Sequence, residues 1–211
     1  MEAKSWFSKQ QLEKTVEALR LNGFSAYLAL NREEAKSIVL SLIPEGNTVG
    51  IGGSVTIREL ELIEELERRS FRVIHHWVQA TPEVLDHLRR EELTSDTFLC
   101  SVNAVTMDGK LISIDGVGNR VAAMIFGPKR VIVVAGKNKL VRDVKEGLWR
   151  AKNIAAVMHC KRLKLKTPCV KLDRCLDCSS PERACNITVI VERKPSLTDF
   201  HVILVNEDLG F

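Results

Sequence analysis

Residues 48–60, Thr-Val-Gly-Ile-Gly-Gly-Ser-Val-Thr-Ile-Arg-Glu-Leu, carry a short apolar strand through three glycines into a segment with the look of a helix. A strand that yields to a helix through a glycine turn is the basic step of sheets flanked by helices. The same step recurs on both sides of it. Upstream, Leu12, Val16 and Leu19 recur at helical spacing before Gly23, which predicts an amphipathic helix over 8–22. A strand over Ser25–Leu30 follows, then a helix that opens on Asn31 with Glu34 three residues on and ends near Pro44.

Downstream the alternation predicts a helix over 54–69 and a strand over Phe71–His75, then a helix over Pro82–Glu92 and a strand over Thr97–Val102. A helix over Asn119–Phe126, a strand over Arg130–Ala135 and a helix over Leu140–Lys152 complete the series. Such repetition implies an α/β domain built on a mixed, mostly parallel sheet with helices on both faces. Between Asn103 and Asp115 the rhythm breaks into two extended runs around Met107-Asp108-Gly109-Lys110, a hairpin signal. From His159 the chain turns basic and cysteine-rich, and Ile187–Val191 and Val202–Val205 read as closing strands. Residues 1–158 and 187–211 are thus expected to form the α/β domain, and 159–186 a small metal-binding appendage.

With 211 residues, 45% hydrophobic and 27% charged, the chain has enough apolar material for one core and lies far from disordered compositions. Lys plus Arg at 31 against Asp plus Glu at 27 leaves +4, too mild for a dedicated nucleic-acid binder. The opening MEAKSWFSKQ has no apolar h-region, and the longest apolar runs, Val121–Phe126 and Val131–Ala135, fall far short of the ~20 residues of a membrane span. The expectation is a cytoplasmic protein with no membrane segment, whose six cysteines are reduced and, where clustered, bind metal or carry redox chemistry. Nothing in the sequence speaks against a homo-oligomer.

Three polar turns are candidate parts of a binding site. In the first, Gly50, Gly52 and Gly53 let backbone N–H groups approach an anion, with Ser54 and Thr56 adding hydroxyls, and the following helix N-terminus favours negative charge. A plain tight turn capped by Ser54 is the other reading. No Walker lysine is present, and Val55 stands where a dinucleotide fingerprint needs its third glycine.

The second turn, Asp115-Gly116-Val117-Gly118-Asn119-Arg120, offers Asp115 as a general base and Asn119 and Arg120 as anion ligands around Gly118, with Asn103 close by. The same residues could be a turn former and a solvated first helical turn. The third, Lys137, Asn138 and Lys139, follows the apolar strand at its carboxyl end, where open α/β sheets place ligands, or is an ordinary solvated loop.

The spacing Cys169-x5-Cys175-x2-Cys178-x6-Cys185 brings four thiols close in sequence, suiting tetrahedral zinc or an iron–sulfur cluster, with two disulfides or idle thiols as the alternative. Cys100, inside an apolar strand, reads as core, and Cys160 as part of a helix. His75 and His76 at a strand end read as structural. The basic residues leading up to the cysteines read as a solvated face that offsets thiolate charge.

GIGGSVTIREL, NAVTMDGKLISIDGVGNRVAAMIFGPKRVIVVAGKNKLV, TPC…CLDCSSPERAC and VILVNEDLGF, taken together and in this order, resemble the lactate-utilisation (LUD) domain family, in its branch with a C-terminal cysteine motif. The resemblance runs from Trp6 to Phe211. It implies the fold superfamily of glucosamine-phosphate isomerase, ribose-phosphate isomerase and CoA transferases, with ligands held at the glycine loop and the strand ends. Ser101-Val102-Asn103-Ala104 lacks the glutamate nucleophile of CoA transferases, which argues against thioester chemistry, and the isomerase stretches are missing too.

The leading expectation is a protein that binds a small anionic metabolite, a carboxylate or phosphate ester. In it Gly52, Gly53 and Ser54 cradle the anion, Asn119, Arg120 and Lys139 neutralise it, and Asp115 acts as base. An iron–sulfur module would fit a subunit of an organic-acid oxidation complex with a redox protein partner, whereas zinc would be structural. The alternative is a non-catalytic interaction protein whose metal-stabilised module docks protein or RNA.

Overall fold

A computed structural model describes residues 2–211. Six strands form the central sheet: β1 (Ser25–Ala29), β2 (Thr48–Ile51), β3 (Arg72–His75), β4 (Thr97–Cys100), β7 (Arg130–Gly136) and β10 (Asp199–Val205). Their order is β1-β10-β7-β4-β2-β3 and every neighbouring pair is parallel. Helices cover both faces, as the β–α rhythm predicts.

The apolar run of β7 shows why. Val131, Val133 and Ala135 join one core cluster with Leu12, Val16 and Leu19 of α1 (Glu2–Leu21), while Ile132 and Val134 join another with Ala35 and Val39 of α2 (Arg32–Leu42). A strand covered on both sides has no polar face to alternate with. Asn31 caps α2 through Glu34 N at 2.9 Å, and Glu34 reaches back to Leu30 N at 2.7 Å.

Several segments depart from expectation. The helix expected over 54–69 is two helices, α3 (Val55–Glu59) and α4 (Leu62–Arg68), separated at Glu61, whose φ of 51° is left-handed. Leu140–Val141 is not helical but a two-residue strand, β8, and the helix starts later as α7 (Val144–Arg150). It continues through a π turn at Ala151–Ala155 into α8 (Ala156–Arg162), so the position expected to end the domain, 158, lies inside a helix. The last strand begins at Asp199 rather than Val202. α5 (Pro82–Glu92) and α6 (Asn119–Ile125) stand close to where the sequence puts them.

The expected hairpin is β5 (Ala104–Thr106) and β6 (Leu111–Asp115), and it belongs to a second, mixed sheet of order β8-β5-β6-β9, where β9 is Ile187–Val191. Its turn leans on α1. Gly109 has φ 81°, a Cβ there would meet the backbone of Ala18 and Leu19 at 2.7 Å, and Asn22 Nδ2 donates to the carbonyls of Asp108 and Gly109. The cysteine-rich segment, with its short helix α9 (Cys169–Leu172), is strung between α8 and β9. Among the described residues, no helix is long and apolar enough to cross a membrane.

Candidate functional site

Because β2, β4 and β7 run parallel, their carboxyl ends lie along one edge of the sheet, and the turns that follow them meet there. They line one narrow cavity of about 70 Å³, walled by Gly53, Ser54, Thr56, Ser101, Asn103, Asp115, Arg120 and Lys139, with Ala155, Ala156 and His159 closing it from the helix side. The first and third polar turns read from the sequence meet at these strand ends, and the second, which follows β6 of the other sheet, is brought against them.

Lys139 is the unusual group. Its side chain ends a turn of 3-10 helix (Lys137–Lys139) and is 3% exposed. Nζ donates to Thr56 Oγ1 at 2.8 Å and Ser101 Oγ at 2.9 Å, and the ion pairs of the described residues include none with Lys139. Burial first, then the nearby Arg150 and Arg120 guanidiniums, pull its pKa down to about 7. Ser101 Oγ donates its own hydrogen bond to Val134 O at 2.6 Å, leaving the oxygen's lone pairs to Lys139. The tail packs over this group: a Cβ on Gly210 would lie 2.4 Å from Thr56 Oγ1 and 3.3 Å from Lys139 Nζ.

Arg120, expected as a free fork, spends its donors inward. Nη1 reaches Ser101 O at 3.0 Å, and Nη2 reaches Asn103 Oδ1 at 3.1 Å and Ile114 O at 2.6 Å. It lends the cavity charge while holding the wall together. Asn103 is likewise engaged, its Oδ1 also accepting from Ile114 N at 2.7 Å. Asp115 Oδ2 accepts from Val121 N at 3.2 Å and Oδ1 lies 3.7 Å from Arg120 Nη2, so this carboxylate steadies the start of α6 and still faces the cavity. Arg150, not singled out from the sequence, donates Nε to Asn138 O at 2.9 Å and Nη1 to Asn103 O, tying two of the turns together.

Other expected residues stand apart from the cavity wall. Gly50 is small because Ser95 and the Glu92 carbonyl press on it, and Gly52 because Phe98 and Arg120 do. Gly118 supplies the left-handed residue before α6, at φ 101°. Asn138 binds the tail, donating to Gly210 O and accepting from Leu209 N, and Lys137 is held through its backbone by Glu207 O. Ser54 does both things expected of it: it caps α3 by accepting from Ile57 N at 3.3 Å, and it lines the cavity. Since α3 is five residues long, the dipole expected from it is small.

Through Gly53, Asp115, His159 and Ala184 the narrow cavity shares its wall with a wider chamber of about 570 Å³. His76, Trp77, Asn119 and Arg162 line the chamber. Glu92, 1% exposed, accepts from Asn119 Nδ2 at 3.1 Å and bonds His76 Nδ1 at 2.6 Å, fixing both on the wall. Burial, and after it the Arg162 and Arg120 charges, hold His159 down to about 4, so its imidazole is neutral at pH 7. Arg162 Nη2 lies 3.2 Å from His159 Nδ1, which makes Nδ1 the acceptor and leaves the ring proton on Nε2. Periodicity cannot reveal such contacts, which join residues far apart in the chain.

The four cysteines expected to hold metal do not close around one point. Among the described residues no three His, Cys, Asp or Glu groups are gathered as a ligand set. Cys169 lies beside Cys160, whose thiol is pushed up by burial first and then, among lesser influences, by Cys169. Cys185 is also raised by burial, with Cys175 and Cys178 as its neighbouring thiols. Within the Cys175-x2-Cys178 step Asp177 N donates to Cys175 Sγ at 3.4 Å. Cys100, as its strand position predicts, is core: burial pushes its thiol up to about 12.

Comparison with curated proteins gives no match. A solved structure described as a DUF162 family protein from Deinococcus radiodurans superposes with a TM-score of 0.54 over 94% of this chain and 97% of that one, at 13% identity, a likeness of fold alone. At the level of sequence families, the LUD domain matches residues 12–205. The chain belongs to the LUD domain family.

Proposed function

We propose that the protein binds a small anionic metabolite, a carboxylate or phosphate ester, with the charged head beside Lys139, and that it serves an organic-acid oxidation system of the lactate-utilisation kind. Lys139 carries this reading. A buried ammonium with two hydroxyls and two guanidiniums for neighbours, Glu59 acting only at a distance, and no ion-pair partner among the described residues is costly in the free protein, and an anion supplies counter-charge. Asp115, the one Asp or Glu on the narrow cavity's wall among the described residues, is the candidate base. Arg120, Asn103 and Arg150 act by holding the turns in place.

Titration calorimetry with lactate and pyruvate tests the reading. An anion that restores Lys139 to its charged form draws a proton from solvent at pH 8, so the binding heat should scale with the buffer's ionisation enthalpy. Lys139→Met should abolish that proton uptake and weaken binding at least tenfold. Unchanged affinity in this variant discards the reading. Asp115→Asn should keep the affinity and lose turnover.

The cysteine-rich segment enters as a separate proposal: Cys169, Cys175, Cys178 and Cys185 draw together only on taking zinc or an iron–sulfur cluster, soft-thiolate chemistry that suits the residue types though not their present spacing. Anaerobic purification followed by metal analysis and an absorption spectrum should return one metal centre per chain, lost in Cys178→Ser. A metal-free chain with unchanged stability sinks it. A cluster would open the way to a redox protein partner, whereas zinc would not.

A further inference from the structure

Two donors of residues that line the wider chamber are unsatisfied. Trp77 Nε1 and Arg162 Nε are both shielded from solvent and, among the described residues, have no hydrogen-bond partner. The guanidinium carbons of Arg58 and Arg162 stand 4.5 Å and 4.8 Å from the Trp77 ring centroid. Among the described residues neither arginine has a carboxylate within ion-pair distance. Two like charges on one indole, each without a counter-ion, repel each other, and buried N–H groups left unpaired cost free energy that a ligand can return.

The carboxylates nearby are already occupied. Glu92 is held by His76 and Asn119, Asp115 by Val121 N and the Arg120 charge, and Glu182 accepts from Lys166 N. Gly53 keeps the floor open: a Cβ there would lie 3.3 Å from His76 Nε2 and 3.9 Å from Trp77 Nε1.

We propose that Trp77 and Arg162, on the chamber wall, form a phosphate subsite to which Arg58, exposed and set over the same indole outside that wall, adds positive charge, which makes the ligand the phosphate ester of a small organic acid. The acid end would lie in the narrow cavity and the phosphate in the chamber. A phosphate dianion carries more acceptor oxygens than a carboxylate, which one guanidinium fork satisfies, and so suits a wall that offers both an indole and a guanidinium donor. The chamber's volume falls among pockets for small molecules, roughly 300–1,000 Å³. The assignment of the acid end rests on the Lys139 reading; the phosphate subsite does not.

The fluorescence of Trp77 reports the subsite directly. In a Trp6→Phe, Trp149→Phe background it is the one remaining indole, and titration with inorganic phosphate at constant ionic strength should change its emission saturably, with acetate giving no such change. Arg162→Gln should weaken the phosphate response at least tenfold and Arg58→Gln by a smaller factor, with far-ultraviolet circular dichroism unchanged. Lys139→Met should leave the response intact, so a failure of the acid pocket and a failure of the phosphate subsite give different results. No saturable response, a response equal for acetate, or one indifferent to Arg162→Gln in a folded protein overturns the proposal.

Discussion

Lys139 is almost wholly buried, and folding therefore favours its neutral form. Its pKa is about 7 in the folded protein against 10.5 for a free side chain, so between those limits the unfolded chain binds more protons. The Lys139 contribution to stability should thus rise with pH from about 7 to 10.5, with the penalty fully present below 7. At roughly 1.4 kcal/mol per pKa unit this amounts to a few kcal/mol. His159 works the same way lower down: its pKa falls from 6.5 to about 4, so stability is lost as pH drops through that window. Urea unfolding at a series of pH values should show both rises, and Lys139→Met should remove the upper one alone. The sequence shows Lys139 as a polar residue after a buried strand. It places Arg120 at the same site but does not show Ser101 or Arg150, because those contacts exist only once the strands and α7 are packed together.

The glycine of the Asp108-Gly109 turn was legible from its neighbours, but the reason it has to be glycine lies in α1. At Gly109 a methyl group meets both a left-handed φ and the backbone of Ala18 and Leu19, neither of which can move away cheaply. Gly109→Ala should cost about 2–4 kcal/mol in urea unfolding; a loss under 1 kcal/mol would mean the hairpin does not lean on α1. Most strands and the caps of α2 and α3 were readable from local chemistry, since a cap or an apolar run acts over a few residues. The break at Glu61 was not, because it interrupts an unbroken helical pattern in which Leu60, Leu62, Ile63 and Leu66 all face the core. Nor was β8, two residues long, which exists by pairing with β5. The wall built by His76, Glu92 and Asn119 was equally hidden, each residue being unremarkable in its own segment.

Across the whole molecule, β10 joins what would otherwise be separate pieces. It lies between β1 and β7, pairing with both, and Ile203 stands opposite Tyr27 on one side and Val134 on the other. Ile203→Pro removes a ladder donor from a strand covered on both faces, at a cost of about 3 kcal/mol or more, a large part of the ~5–15 kcal/mol that usually holds a domain together. Native-state hydrogen exchange should show protection falling in Ser25–Ala29 as well as in β7. Protection kept in β1 would show that strand to be anchored by α1 and α2 without β10.

The π turn at Ala151–Ala155 has a consequence for how this chain is compared with others. Each such turn carries one residue more than an α turn, and one residue swings a helix face by about 100°. It therefore sets how Arg150, before the bulge, and His159 and Arg162, beyond it, are turned relative to one another. A relative whose helix lacks the bulge will align with this chain only across a one-residue gap. An alignment that omits the gap would pair His159 with the wrong neighbour and record as divergence what is a shift in phase.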